Sequence, residues 1–163
     1  MENKKLTKKE KTDIIVKYVK ADIVNHMRKE DLRETLKKVF DIELKKSAKN
    51  EELANAIIKN CKNRKSYYLK IYEMWKYEYF GVSLTEVEET FNISRYKRKQ
   101  LEEYYVLQVA YTYQTRAYGK YIDVPIYDLK DFLNLLGEDI DAILKKEREL
   151  AKRGSGKWKP NNT

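Results

Sequence analysis

The chain has 163 residues, with 35 Lys and Arg against 26 Asp and Glu, giving a formal net charge of +9 and a pI near 9.3. That length holds one ordinary domain or two small ones, and the positive balance suits a polyanionic partner, although lysine added for solubility has the same sign. Cys61 and His26 are the single cysteine and the single histidine, which excludes an intramolecular disulfide and leaves too few ligands for a Cys/His zinc site. No metal and no cofactor are therefore expected. The opening MENKKLTKKEK has no apolar segment behind it, and no stretch approaches the ~18 apolar residues of a membrane span. The expectation is a cytoplasmic protein with no membrane partner.

Thr7 followed three residues later by Glu10 is a capping-box signal. Ile14, Ile15, Tyr18, Val19, Ile23 and Met27 then mark one face of a helix whose other face is rich in lysine. A docking helix is the expectation. A membrane-surface helix fits less well, because Asp13 and Asp22 interrupt the basic face. Asp31, Leu32, Leu36 and Val39 predict a short helix, and after a polar loop Glu51, Leu53, Ala54, Ile57 and Ile58 predict a second. Leu32, Leu36, Ser47, Lys49, Glu52 and Leu53 fall at the signature positions of the SAP or HeH helix-extension-helix motif, which the stretch 27–58 resembles. The resemblance implies that Lys45, Lys46, Ser47 and Lys49 approach a DNA backbone. A plain helical hairpin is the alternative.

Tyr68, Ile71, Tyr72, Trp75 and Tyr79 recur at i, i+3, i+4, i+7 and i+11, predicting a helix over 62–80 with an aromatic face. Interleaved lysines would also suit base stacking on single strands. So regular a stripe, though, is the mark of a core-facing helix. Gly81 is expected to end this helix as a C-cap.

Between Ser83 and Leu133 the pattern is helix, turn, helix, hairpin, helix. Ser83 with Glu86 starts a helix carrying Leu84, Val87 and Phe91 on one face. Asn92-Ile93-Ser94 breaks it: Asn tolerates the left-handed conformation, Ile93 plugs the corner and Ser94 caps a second helix. That helix begins Arg95, Tyr96, Lys97, Arg98, Lys99, Gln100, with Leu101 and Tyr105 expected inward. From Tyr105 to Gln114 the period changes to two, predicting a strand. Residues 116–120 predict a turn around Gly119, and 121–124 a return strand that Pro125 ends. Leu84, Thr85, Val87, Ile93, Ser94, Arg95, Asp128, Leu129, Phe132 and Leu133 match the pattern of winged-helix DNA-binding domains of the excisionase and MerR-like group, which this third of the chain resembles. The resemblance implies a recognition helix presenting Arg95, Tyr96, Lys97, Arg98, Lys99 and Gln100 to the major groove, and a wing bringing Arg116, Tyr118 and Lys120 to the adjacent backbone. The same residues also fit a small α/β unit with no nucleic-acid site.

Gly137 and Asp139 introduce a last helix with Ile140, Ile143 and Leu144 on one side, a candidate dimerisation element and too short for a coiled coil on its own. The polar residues from Gly154 on predict a mobile tail in which Lys157, Trp158 and Lys159 add a phosphate or stacking contact, or nothing. No phosphate-binding glycine loop, nucleophile elbow or HExxH occurs, so an enzyme is not expected.

The expected fold is mainly α with one β-hairpin: a winged helix-turn-helix over 82–136 preceded by a helical N-terminal module over 1–61 and an aromatic connector over 62–81. A helix over 137–153 and a disordered basic tail over 154–163 complete the expected organisation. The expected partner is double-stranded DNA, bound by a regulator or a recombination or replication accessory factor. Composition suggests a phage or mobile element of an AT-rich bacterium. The rival expectation is an inhibitor of a host or defence enzyme that uses the same basic face.

Overall fold

The computed structural model describes residues 1–154, so the tail expected from Gly154 on, with Lys157, Trp158 and Lys159, lies outside the described residues beyond that glycine. The chain is mainly helical with a hairpin, as the hydrophobic periods predict, and one further short strand completes a three-stranded antiparallel sheet. It divides into two compact units, Thr7–Phe80 on one hand and Met1–Leu6 with Gly81 onward on the other.

The Thr7–Phe80 unit is helical throughout: α1 (Lys8–Asn25), α2 (Lys29–Phe40), α3 (Asn50–Cys61) and α4 (Lys65–Trp75). The expected capping box opens α1, with the Glu10 amide donating to Thr7 Oγ1 at 3.2 Å and the Thr7 amide to Glu10 Oε1 at 3.1 Å. Ile15, Val19 and Ile23 recur every four residues on its buried face. Asp41 ends α2 in the left-handed conformation with φ 54°, and the Ile42 amide reaches back to the Leu36 carbonyl, closing the last turn.

The aromatic stripe of α4 is core. Tyr68, Ile71 and Tyr72 are no more than 1% exposed, so these rings offer bases no stacking surface. The Trp75 indole N–H donates to Thr35 Oγ1 at 2.9 Å, and that hydroxyl donates to the Asp31 carbonyl at 2.7 Å, tying α4 to α2. The helix stops at Trp75, five residues before the expected end. Side-chain partners draw the succeeding residues away: the Tyr79 hydroxyl bonds the Asp31 carboxylate and accepts from the Arg28 amide, while the Phe80 amide donates to Asp22 Oδ2 at 2.8 Å. Phe80, with φ 68°, makes the left-handed turn expected of Gly81.

The second unit runs β1 (Val82–Ser83), α5 (Leu84–Phe91), α6 (Arg95–Glu103), β2 (Val109–Ala117), β3 (Lys120–Tyr127), α7 (Leu129–Leu135) and α8 (Ile140–Lys152). The strands lie in the order β1-β3-β2, with Val82 and Ser83 paired to Tyr127 and Ile126. Two expectations about the hairpin need correcting. The first strand starts at Val109, not Tyr105, because α6 closes through Tyr105 at φ 56° with the Val106 and Leu107 amides both on the Leu101 carbonyl. Pro125 does not end the return strand, which continues to Tyr127. At Pro125 the strand is paired to Thr112 of β2, and β1 begins its pairing only at Ile126. Proline therefore sits where β3 has a partner on one side alone, and such a position tolerates a missing donor. The turn is a two-residue one, Tyr118-Gly119, with φ of 52° and 76°, the primed geometry whose twist matches the strands.

Gly81 serves a different purpose from the cap expected of it. A Cβ there would lie 2.1 Å from Ile126 Cγ2 and 3.1 Å from the Tyr127 carbonyl oxygen. Close approach of the chain to β3 is what requires glycine. Gly81→Ala should lower the free energy of unfolding in urea by about 1–3 kcal/mol through overpacking, and Ile126→Ala in the same chain should recover part of that loss.

Burial, reinforced by the neighbouring Cys61 thiol, pushes the Tyr68 hydroxyl up to about 12 from an ordinary value of 10.0. Below pH ~10 folded and unfolded chains both hold this proton, and its contribution to stability is fully present. Between ~10 and ~12 the unfolded chain ionises first, so stability should fall as pH rises. Urea midpoints should therefore drop across this window, and the drop should be shallower for Tyr68→Phe.

Candidate nucleic-acid interface

The corner between α5 and α6 forms as its residues dictate. Asn92 takes the left-handed conformation at φ 50°, the Ile93 amide returns to the Glu88 carbonyl, and Ser94 Oγ accepts from the Lys97 amide at 3.2 Å. These contacts set the direction of α6 and hence which of its basic residues face outward.

Arg98 does not face outward. It is 4% exposed, and its guanidinium donates to the hydroxyl of Tyr127, itself fully buried on β3. Its Nε lies 3.5 Å from Glu88 Oε2 and its Nη1 3.8 Å from Glu102 Oε2, while the Tyr127 hydroxyl donates to Glu102 Oε2 at 2.8 Å. One cation thus joins α6, α5 and β3. Burial, followed by the hydrogen bond to Glu102, raises the Tyr127 hydroxyl well above its ordinary value, keeping it a donor. Gln100 is also turned in, at 9% exposure, and its amide donates to the Tyr96 hydroxyl at 3.2 Å. Lys97 is held by Asp141 of α8 at 2.7 Å. The expectation of six groove-facing residues at the start of α6 is corrected on Arg98 and Gln100, because α6 buries the face that carries them and Leu101, whereas Lys97 stays partly exposed in its ion pair.

Arg95, Tyr96 and Lys99 remain outward, with Tyr96 69% exposed. Four residues apart, Arg95 and Lys99 stand one above the other on the helix. They form one wall of an open groove of about 690 Å³, which Thr112 of β2 and Ile122, Asp123 and Val124 of β3 line on the other side. Beyond the groove Arg116, Tyr118 and Lys120 are all exposed at the ribbon's end, and the Arg116 guanidinium sits 5.9 Å from the Tyr121 ring centre.

In the helical unit, Lys45, Lys46, Ser47 and Lys49 are exposed. Their loop is shaped by Arg33, whose guanidinium donates to the carbonyls of Leu44, Lys45 and Lys46 at 3.0–3.2 Å. That staple went unread in the sequence, since nothing in the spacing of Arg33 from the loop signals it. The exposed Tyr113, Tyr121 and Ile122 of the ribbon were also missed. Nothing in the sequence signalled it: Val109, Tyr111 and Tyr113 alternating with Ala110, Thr112 and Gln114 is the pattern of a strand with one buried face.

Among the described residues no group of three or more His, Cys, Asp or Glu is placed to hold a metal ion. Among them, too, no helix is long and apolar enough to cross a membrane. No protein-family model matches this chain, no curated protein matches its sequence, and no solved structure matches its fold.

Removing the Arg98 guanidinium leaves two carboxylates and a buried phenol uncompensated. Arg98→Ala should therefore lower the unfolding free energy by about 1–3 kcal/mol, whereas Lys99→Ala on the outer face should stay within about 0.5 kcal/mol of the parent. Urea unfolding monitored by circular dichroism checks both.

Proposed function

We propose that this chain is a non-enzymatic, cytoplasmic protein that binds double-stranded DNA through the outer face of α6 and the tip of the β2–β3 ribbon, in the manner of a winged helix. The observation that carries this reading is the pairing, within one unit, of an outward cationic helix face with a projecting ribbon that ends in Arg116, Tyr118 and Lys120. The order of elements supports it as well: strand, helix, three-residue corner, helix, hairpin, with the first strand paired to the last. Arg95 and Lys99 would enter the major groove, about 12 Å wide and able to admit a helix. Arg95 can bond a guanine edge with two N–H groups. The ribbon tip would follow the neighbouring phosphates. Arg98 and Gln100 hold the helix and its tyrosine in place and read nothing directly.

Most of the net charge lies elsewhere. Thr7–Phe80 holds 19 Lys and Arg against 12 Asp and Glu, so the helical unit carries the larger share of long-range attraction to a polyanion. The exposed Lys45, Lys46 and Lys49 are its candidates for phosphate contact. A regulator or an accessory factor of recombination or replication in a phage or mobile element is the role this arrangement suits.

One observation favours a second reading. Glu88, Glu102 and Asp123 line the groove together with Arg95, Arg98 and Lys99, and exposed Tyr113, Tyr121 and Ile122 lie along the ribbon. Balanced charge with exposed aromatics also suits a protein partner, such as a host or defence enzyme that the chain inhibits.

Titrating labelled duplex at several salt concentrations separates the two. Double-stranded DNA binding should weaken steeply with salt, and Arg95→Ala with Lys99→Ala, or Arg116→Ala with Lys120→Ala, should each reduce the log–log slope by about 2. Absence of binding at low salt overturns the DNA reading in favour of the protein partner.

A further inference from the structure

We propose that the outer edge of β2 pairs antiparallel with β2 of a second copy of this chain, joining two protomers through a continuous sheet. This does not rest on the DNA reading, and it is tested without nucleic acid.

The sheet order leaves β2 at an edge, with its outer backbone groups unpaired to any other strand among the described residues. Every residue from Thr112 to Arg116 is exposed. Exposed edges are normally guarded by lysine, inward charge, proline or a short length, because an open row of N–H and C=O groups is a template for another strand. The opposite side of the ribbon shows such guards: β3 beyond the reach of β1 carries Lys120, Asp123 and Pro125. β2 shows none between Ala110 and Thr115. Its nine residues, VAYTYQTRA, include one charge and no proline, and are mostly β-branched or aromatic. One edge is closed to strand addition while the other is left open.

The strand is also complementary to itself. Full antiparallel overlap of Val109–Ala117 with its own copy puts Tyr113 on the two-fold axis. Thr112 then faces Gln114, Tyr111 faces Thr115, and Arg116 faces Ala110. No like charges meet, and the two Arg116 residues lie six positions apart along the ladder, roughly 20 Å. Beyond the reach of β1 the ribbon has two strands alone, a marginal arrangement in water, and pairing with a copy makes four there. The last helix, a dimerisation candidate by sequence, is already committed: Ile140 and Leu144 of α8 are 6% and 1% exposed within this chain. A foreign strand has only Arg116 to recognise by charge. A second copy fits by register.

The experiment is sedimentation velocity of the full chain, free of nucleic acid, up to about 200 µM, where a specific dimer should be populated. Tyr113→Lys and Gln114→Lys place like charges at or beside the axis and should each weaken the dimer by about tenfold or more, with an unchanged circular dichroism spectrum. Tyr118→Lys in the turn should leave it intact. Tyr113→Cys should form a reducible cross-linked dimer under mild oxidation, since partners on an axis have Cα atoms about 4.5–5.5 Å apart, within disulfide reach. The parent chain, whose Cys61 is buried, should not. A monomer at the highest concentration, a dimer that survives both lysine variants, or a Tyr113→Cys chain that fails to cross-link overturns the proposal.

Discussion

The Arg98 guanidinium is the interaction on which the C-terminal unit depends. Three elements that each also bury apolar residues (α5 through Glu88, α6 through Arg98 and Glu102, β3 through Tyr127) are joined at one point by a buried cation and its partners. Removing charge from water is costly, and here ion pairing carries much of the compensation, since the buried Arg98 Nε faces Glu88 at 3.5 Å without a hydrogen bond. Two carboxylates around one guanidinium would be unfavourable in isolation. A neutral, buried phenol that accepts from the arginine and donates to Glu102 relays part of that excess. The cluster thereby sets the rotation of α6: with Arg98 inward, Arg95 and Lys99 must face the groove.

This consequence also separates what was legible in the sequence from what was not. The corner was legible because its signals are local: Asn92 at a left-handed cap and Ser94 bonding the Lys97 amide depend on neighbours a few residues away. The aromatic stripe of α4 was legible because periodicity reports burial directly. The inward turn of Arg98 was not, since its partners Glu88 and Tyr127 lie 10 and 29 positions away and become partners only after the strands pair. A run of basic residues looks alike in sequence whether its members face DNA or a carboxylate. Pro125 misled for a related reason: its cost depends on which strand lies beside it, and β1 is only two residues long.

Gly81 and Tyr79 teach the same lesson at the end of α4. A glycine after a helical stripe reads as a cap, but tertiary hydrogen bonds to Asp22 and Asp31 stop the helix earlier. Left-handed backbone then falls on Phe80, a conformation costly for a non-glycine residue and tolerated because its ring is buried at 1% exposure. The glycine is kept for space against Ile126 instead. Local propensity proposed one use for the residue, and packing assigned another.

The β2–β3 ribbon is the reverse case, a segment held almost wholly from its ends. At the base, Tyr127 is locked by Arg98 and Glu102 and paired to Val82. At the tip, Tyr118 and Gly119 adopt the primed turn that matches strand twist. Between them, the residues from Thr112 to Arg116 and from Lys120 to Asp123 are exposed and contribute little burial. Few buried contacts mean a low free energy of local opening. Under the readings proposed above, a bound partner would supply the order that such a ribbon lacks. Its backbone edge and its side-chain tip offer different chemistry, ladder hydrogen bonds along β2 and cations at Arg116 and Lys120, so the two can be engaged together without competing for the same atoms.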